Sequence, residues 1–264
     1  DLWIACDGGI FYSENQGTQI EQRMFGIAGT DFWGFGSGFS DGGVMIGGTY
    51  HNATLLKDND TYVQGDSLKG TLETGGWASI CGGDNYRGFV NFGDSKKVYL
   101  DDWCSGGGYE LSNDRNIPLE GFSLQVVSNA SYTIGESSNL EFDPRCYNIL
   151  YTGSGEILYK SFNNGYSSFP LYDFGENVTS IEVAWSNPDI IYVATYDSYW
   201  GDKNIWRTDD GGVTFVNITP TFPGIQEDNW IPYDITISDN DPLNVWIARC
   251  PNSTSYDSYE SSKV

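Results

Sequence analysis

The stretch Thr208-Asp209-Asp210-Gly211-Gly212-Val213-Thr214-Phe215 decides the fold, because it fits the turn pattern S/T-x-D-x-G-x-x-F/W. In such a turn the carboxylate accepts backbone N–H bonds, and glycine adopts the positive φ that the turn requires. Strand-like residues stand on both sides, at 204–207 and 215–218. The stretch therefore predicts a β-hairpin that is fixed by its own side chains, at positions Thr208, Asp210, Gly212 and Phe215.

Three weaker copies of this turn occur earlier in the chain. The matching positions are, in chain order, Ser13, Asn15 and Gly17; Ser112 and Asp114; and Ser161, Asn163 and Gly165. The Ser or Thr positions 13, 112, 161 and 208 are separated by 99, 49 and 47 residues, so the first gap equals two periods. Copies in phase are the signature of a repeat protein.

Short apolar runs repeat with the same period. They lie at residues 2–5, 44–47, 98–101, 149–152, 191–194 and 245–248. The five intervals between residues 2 and 245 average about 49 residues, which is the length of a four-stranded propeller blade. We therefore expect an all-β chain: one β-propeller segment over residues 1–264, with about five repeats of four-stranded blades.

The ends of the sequence fall inside blades. The first apolar run occupies a second-strand position, and residues 261–264 fall where a third strand would begin. We expect a segment cut mid-blade at both ends, part of a longer chain, with flanking domains or other subunits completing the propeller.

These repeats resemble the Asp-box, or BNR-type, β-propellers, whose broad relatives include sialidases, sortilin-type receptors and xyloglucan-active hydrolases. The resemblance is nearest to exported bacterial surface propellers of the type IX secretion kind, and it rests on residues 5–13, 47–54 and 82–85. It implies an extracellular or cell-surface protein that acts as a structural or adhesive scaffold through contacts with proteins or glycans.

Composition excludes several classes of partner and site. The chain has 13 basic and 36 acidic residues, a formal net charge of −23, and no basic patch for nucleic acid. It has one His and no CxxC pair, so a Cys/His zinc site lacks ligands. No apolar run approaches the roughly 18 residues that a membrane span needs. We expect no cofactor; the alternative is a structural calcium ion at the acidic loops 58–60 or 239–241. The candidate N-glycosylation sites are Asn52, Asn59, Asn129, Asn177, Asn217 and Asn252.

Whether the chain is an enzyme stays open, and the non-enzymatic interpretation is favoured. The alternative is a glycoside hydrolase acting on a β-glucan-type polysaccharide. The xyloglucan-active hydrolases that the chain resembles carry one acid in a TDxGG loop, which Asp7 matches, and Asp84 is the obvious second carboxylate. An inverting enzyme holds such a pair roughly 6.5–9.5 Å apart. A sialidase lacks its arginine motif here, and nucleophile chemistry would rely on His51 alone.

Aromatic residues in loops are the candidate binding groups, because Tyr and Trp stack on sugars and anchor protein interfaces. They form two loops one period apart, with Tyr196, Tyr199 and Trp200 in the first and Tyr256 and Tyr259 in the second. Trp3, Trp206 and Trp246 lie within predicted strands, and we expect them in the core.

Overall fold

Antiparallel sheets make up the described part of the chain. The computed structural model describes residues 1–6, 9–23, 32–49, 54–57, 77–81, 87–100, 107–110, 120–123, 140–197, 201–222 and 230–251. Within these ranges the chain is all-β, with strands β1 to β21, one 3₁₀ turn at Thr219–Thr221 and no α-helix. The strands form six sheets, and in every sheet neighbouring strands are consecutive in the chain.

The strand bounds follow sheet by sheet. Sheet one holds β1 (Leu2–Cys6), β2 (Gly9–Ser13) and β3 (Glu21–Gln22), and sheet two holds β4 (Phe32–Ser37), β5 (Met45–Thr49), β6 (Thr54–Lys57) and β7 (Trp77–Cys81). Sheet three holds β8 (Gly88–Val90), β9 (Lys97–Leu100), β10 (Gly107–Glu110) and β11 (Glu120–Ser123), and sheet four holds β12 (Leu140–Phe142), β13 (Leu150–Ser154), β14 (Ile157–Ser161) and β15 (Phe169–Asp173). Sheet five holds β16 (Asn177–Val183), β17 (Ile191–Tyr196), β18 (Lys203–Thr208) and β19 (Val216–Asn217), and sheet six holds β20 (Trp230–Ser238) and β21 (Asp241–Pro251).

Successive sheets from two to six pack face to face. Sheets three and four share a core of Tyr99, Leu140, Phe142 and Leu150. Sheets four and five enclose a second core that includes Tyr151, Leu158, Ile181 and Val193, and sheets five and six a third that includes Tyr192, Ile205, Ile235 and Ile247. Every residue of β17 is buried, because sheet five is covered on both faces. The described sheets form an open series rather than a closed ring.

Sheets two and three approach each other at backbone level. A Cβ on Gly88 would lie 2.8 Å from the carbonyl carbon of Ile46, and a Cβ on Gly36 would lie 2.5 Å from the carbonyl oxygen of Gly88. Such contacts leave no space for a side chain, so glycine is required at both positions.

Two tryptophans expected in the core are exposed. Trp206 packs against Phe174 with ring centroids 5.4 Å apart, as expected, but Trp3 and Trp246 are 63% and 45% exposed. Side chains alternate between the two faces of a strand. Because Ile247 packs toward sheet five, Trp246 lies on the opposite face of β21.

Candidate functional site

The turn at residues 208–215 is held by its own side chains. The hydroxyl of Thr208 donates to Oδ1 of Asp210 at 2.6 Å and accepts the N–H of Gly212 at 3.0 Å. Asp210 Oδ1 also accepts the N–H groups of Val213 and Thr214 at 3.0 and 2.9 Å. Hydrogen bonds from Thr208 and Thr214 hold the pKa of Asp210 well below its usual range. The carboxylate therefore stays ionised and keeps accepting these bonds.

The same bonds recur in two other turns. The Ser hydroxyl accepts the N–H of the residue four positions later, Gly17 at 2.8 Å in one turn and Gly165 at 2.9 Å in the other. Asn15 and Asn163 use Oδ1 as Asp210 does, accepting N–H bonds at 2.8 and 3.0 Å. Each turn contains two consecutive residues with positive φ, the second of which is glycine. Ser112 and Asp114 lie outside the described residues.

The chain has a second set of repeated turns, of which the sequence indicated the one at Asn187-Pro188-Asp189 but not the repetition. The set occupies residues 38–44, 91–97, 143–149 and 184–190, between the first and second strands of sheets two to five. In each turn, the N–H of the first residue donates to the carbonyl of the seventh residue, at 2.8, 2.9, 3.0 and 3.0 Å in chain order. The N–H of the seventh residue donates to the carbonyl of the fourth residue, at 3.1, 2.9, 2.8 and 2.9 Å. The four seven-residue turns therefore share one backbone geometry despite dissimilar sequences.

Both kinds of turn lie at one end of the sheets. The N–H of Asn164 donates to the carbonyl of Asn148 at 2.8 Å, and the N–H of Gly211 donates to the carbonyl of Asp189 at 2.9 Å. Because strands alternate in direction, the connection between β17 and β18 leaves from the opposite end. We call the end that carries the seven-residue turns the turn end.

A row of aromatic rings crosses the turn end. Phe39, Phe92 and Trp185 each occupy the second position of a seven-residue turn. The ring centroid of Phe92 lies 6.3 Å from that of Phe39 and 5.8 Å from that of Trp185. Tyr147 contacts Phe92 edge-on at 5.8 Å. Phe39 and Trp185 are 76% and 43% exposed, so these four residues, the aromatic row, present apolar surface to solvent.

Phe92 anchors the aromatic row to the core. Its ring centroid lies 5.1 Å from that of Phe142, which is buried between sheets three and four. The flanking turns are also joined by polar contacts, with Ser40 Oγ 2.8 Å from Ser95 Oγ and Asn91 Nδ2 donating to the carbonyl of Tyr147 at 2.8 Å. The rings are therefore carried by backbone that is fixed on both sides.

Two groups of ion pairs lie beside the aromatic row. Arg145 contacts Asp143 and Asp189, each at 2.7 Å, and so links sheets four and five. Burial alone would raise the pKa of Asp143, but the hydrogen bonds and charge of Arg145 outweigh it and lower that pKa. Lys97 pairs with Asp94 in the neighbouring turn.

A carboxyl pair lies between sheets five and six. Glu182 of β16 accepts the N–H of Ile237 and faces Asp234 of β20. Burial and the charge of the Asp234 carboxylate raise the pKa of Glu182 to about 8. Ser180 Oγ donates to Asp234 at 3.2 Å and accepts the N–H of Ile235 at 3.2 Å.

The structure describes one of the five predicted binding aromatics. Tyr196 ends β17 and is 3% exposed, so its ring is part of the packing there. The N–H of Asp197 donates to the carbonyl of Asp202 at 3.1 Å and closes the loop that follows. Outside the described residues lie Tyr199, Trp200, Tyr256 and Tyr259, together with the alternative catalytic pair Asp7 and Asp84.

Two of the predicted glycosylation asparagines are described. Asn217 is exposed in β19, and its Nδ2 donates to Asn204 at 2.8 Å. Asn177 is half-buried at the start of β16. Thr179, the third residue of the same glycosylation triplet, is buried, and its hydroxyl donates to the carbonyl of Pro232 at 3.0 Å. Outside the described ranges lie Asn52, Asn59, Asn129 and Asn252.

No cluster of three or more His, Cys, Asp or Glu side chains suited to an ion occurs among the described residues, which include 239–241 but not 58–60. Of the helices in those ranges, none has the length and apolarity needed to cross a bilayer.

Comparisons with known proteins show the fold but no family. No family model matches the chain, and no curated protein does. Several solved structures match it in fold. An ancestral GH74 enzyme is 14% identical with a TM-score of 0.56, covering 85% of this chain and 28% of that one. A GH74 enzyme of Niastella koreensis is 18% identical with a TM-score of 0.54, covering 84% of this chain and 33% of that one.

A GH74 xyloglucanase from Xanthomonas campestris is 13% identical with a TM-score of 0.50, covering 78% of this chain and 32% of that one. The chain thus spans about a third of the length of these β-propeller glycoside hydrolases. At such identity the likeness shows a propeller-like all-β fold.

Proposed function

We propose that this chain is a segment of an extracellular or cell-surface β-propeller that acts as a non-catalytic recognition scaffold. The observation that carries the proposal is the aromatic row, in which rings from four successive seven-residue turns meet at one end of the sheets. Exposed contiguous aromatics mark interaction sites, because they lose unfavourable contact with water when a partner covers them.

The propeller assignment treats each four-stranded sheet as a blade. Sheets two to five are antiparallel with strands in chain order, and each packs on the next. The three GH74 neighbours, which are propellers, support this assignment. The turns at 13–17, 161–165 and 208–212 then serve as Asp-boxes, with Ser112 and Asp114 as a fourth. Flanking domains or other subunits supply the remaining blades.

Fixed turns suit a recognition surface. The aromatic row sits on backbone that is tied by hydrogen bonds within each turn and by Arg145 and Asn91 between turns. A partner that binds pre-positioned rings loses less conformational entropy than one that must order a loop. The scaffold and the binding surface are therefore parts of the same repeat.

A binding screen with matched variants tests the proposal. Immobilised wild-type chain is exposed to glycan arrays and to extracellular proteins, and each ligand is measured again with Phe39→Ser and with Phe169→Ser. Phe169 is a suitable control, because it is 57% exposed in β15 and its ring contacts that of Phe162, outside the aromatic row. We expect at least one ligand that Phe39→Ser weakens and Phe169→Ser does not. Ligands that bind all three proteins equally would contradict the proposal.

Glycoside hydrolysis is the second candidate function. The structural neighbours are GH74 enzymes, one of them a xyloglucanase, and Glu182, a carboxyl group of raised pKa, faces a second carboxyl group, Asp234. Glycosidases use such a combination, with one group as acid and the other ionised. The sequence offers Asp7 and Asp84 as the alternative pair.

Hydrolysis is tested by release of reducing ends from xyloglucan and mixed-linkage β-glucan. The scaffold proposal predicts no release above that of a heat-denatured sample. Steady release that disappears in Glu182→Gln would support the first pair, and release that disappears in Asp7→Asn or Asp84→Asn would support the second. Either result would replace the scaffold by an enzyme.

A further inference from the structure

We propose that the aromatic row binds an arginine- or lysine-bearing segment of a partner protein. This inference rests on the proposed recognition function and names its ligand. Its basis is the exposure of the aromatic row, over which no cation lies among the described residues, together with the strongly acidic composition.

Elsewhere in the chain, cations sit over aromatic rings. Arg23 lies 5.4 Å from the ring centroid of Tyr12, and Arg87 lies 5.9 Å from that of Tyr233. Lys160 lies 5.2 Å from the ring of the exposed Phe162. A cation over an aromatic face is attracted by the negative charge of that face. The chain thus repeatedly pairs its few basic residues with its aromatic rings.

The aromatic row has no such cation. Among the described residues, no Lys or Arg lies over the ring of Phe39, Phe92 or Trp185. The seven-residue turns contain Lys96, Lys97 and Arg145. Lys97 and Arg145 are held by carboxylates, and the charge of Lys96 acts on Asp94. The exposed faces of Phe39 and Trp185 can therefore receive a cation that comes from another molecule.

Charge selects the same class of partner. With 36 acidic and 13 basic residues, the net charge of −23 attracts a basic segment and repels an acidic one. Beside the aromatic row, Asp41 uses Oδ1 to accept the N–H of Gly43 at 2.9 Å, and no cation among the described residues pairs with it. Asp41 lies two residues from Phe39 in the same turn, so a guanidinium or ammonium group that stacks on Phe39 would come close to an acidic residue.

Arginine suits this surface better than lysine. Its planar guanidinium stacks on a ring face while its N–H groups donate to a carboxylate in the same plane. A segment with two arginines could cover Phe39 and Trp185, since each of these rings is a neighbour of Phe92. A neutral glycan, the other ligand considered above, would gain nothing from the net charge, so its binding would not depend on salt.

Fluorescence anisotropy of labelled peptides tests the inference. The probe is a flexible 12-residue peptide with four arginines spaced by Gly and Ser, and the matched peptides replace Arg by Lys or by Gln. Exposed cation–π contacts are worth about 0.5–1 kcal/mol, so Phe39→Ser should weaken the Arg peptide about two- to fivefold. The double variant Phe39→Ser/Trp185→Ser should weaken it about tenfold, and Phe169→Ser should leave it unchanged.

Further outcomes separate the inference from the function on which it rests. We expect the order Arg, then Lys, then Gln, weaker binding as salt rises, and weaker binding in Asp41→Asn. Equal affinity for wild type and Phe39→Ser would overturn the inference, because binding would then be diffuse attraction to the acidic surface. A glycan that requires Phe39 while the Arg peptide does not would overturn the inference and retain the recognition scaffold. No ligand of any kind requiring the aromatic row would overturn both.

Discussion

Replacing Thr208 with valine removes the hydroxyl that organises the turn at 208–215 while keeping the shape of the side chain. Thr208 is buried and its hydroxyl makes three hydrogen bonds, with the side chain and N–H of Asp210 and with the N–H of Gly212. Valine leaves the N–H of the buried Gly212 without that partner. A buried donor that loses its acceptor costs about 1–3 kcal/mol, and the other two bonds add to this. We expect a loss of about 3 kcal/mol in the free energy of unfolding.

Urea denaturation followed by tryptophan fluorescence measures this loss, since Trp206 lies in β18 directly before the turn. Thr214→Val is the matched control, because Thr214 is exposed and its hydroxyl makes one bond, to Asp210 at 2.7 Å. Exposed substitutions of this kind change stability by about 0.5 kcal/mol or less. Equal midpoints for Thr208→Val and Thr214→Val would refute the reasoning, because the buried hydroxyl would then contribute no more than the exposed one.

Three further predictions concern the sheet interfaces and the turn end. Glu182→Gln should flatten the pH dependence of stability: the pKa of Glu182 is raised from 4.5 to about 8, so its favourable contribution is full below pH 4.5 and is lost as the pH rises to about 8. The substitution should remove at most about 1.4 kcal/mol of unfolding free energy per pH unit between those values, and less because Glu182 is partly exposed. If the urea midpoints of Glu182→Gln and wild type changed equally from pH 5 to 8, the prediction would be contradicted. Gly88→Ala should destabilise the chain by about 1–3 kcal/mol, since a Cβ would lie 2.8 Å from the backbone of Ile46, whereas Gly42→Ala, with open space around it, should be nearly neutral. Cys146 is an exposed thiol, so it should react with a thiol reagent in the native protein within minutes, and labelling only after denaturation would show that the turn end is covered.

Parts of this fold could be predicted from the sequence because single residues dictate them. The turns at 13–17, 161–165 and 208–212 need a hydroxyl, an Asn or Asp and a glycine at fixed spacing, and the sequence displays all three. Strands such as Ile191–Tyr196 are apolar and β-branched, so they are visible as apolar runs. Local chemistry was sufficient at these positions.

The candidate site could not be predicted in the same way. The seven-residue turns share backbone hydrogen bonds more than residue types: in three of them the second residue is aromatic and the fourth is Asp or Asn, and the turn at 143–149 has neither. Phe39 and Trp185 are brought near Phe92 by sheet packing, across many residues of sequence. Glu182 acquires its raised pKa from Asp234 on another sheet. Trp246 occurs in a strand like Trp206, and its exposure depends on which face of that strand the neighbouring sheet covers.

Hydroxyl-radical footprinting of the aromatic residues tests the central claim most directly. Wild-type chain is oxidised with and without a saturating ligand from the binding screen, and the modification of each residue is measured by mass spectrometry. We predict protection of Phe39 and Trp185 and unchanged modification of Phe162 and Phe169, which are exposed outside the aromatic row. Protection confined to residues 198–200 and 252–264, with Phe39 and Trp185 modified as in the free protein, would contradict it.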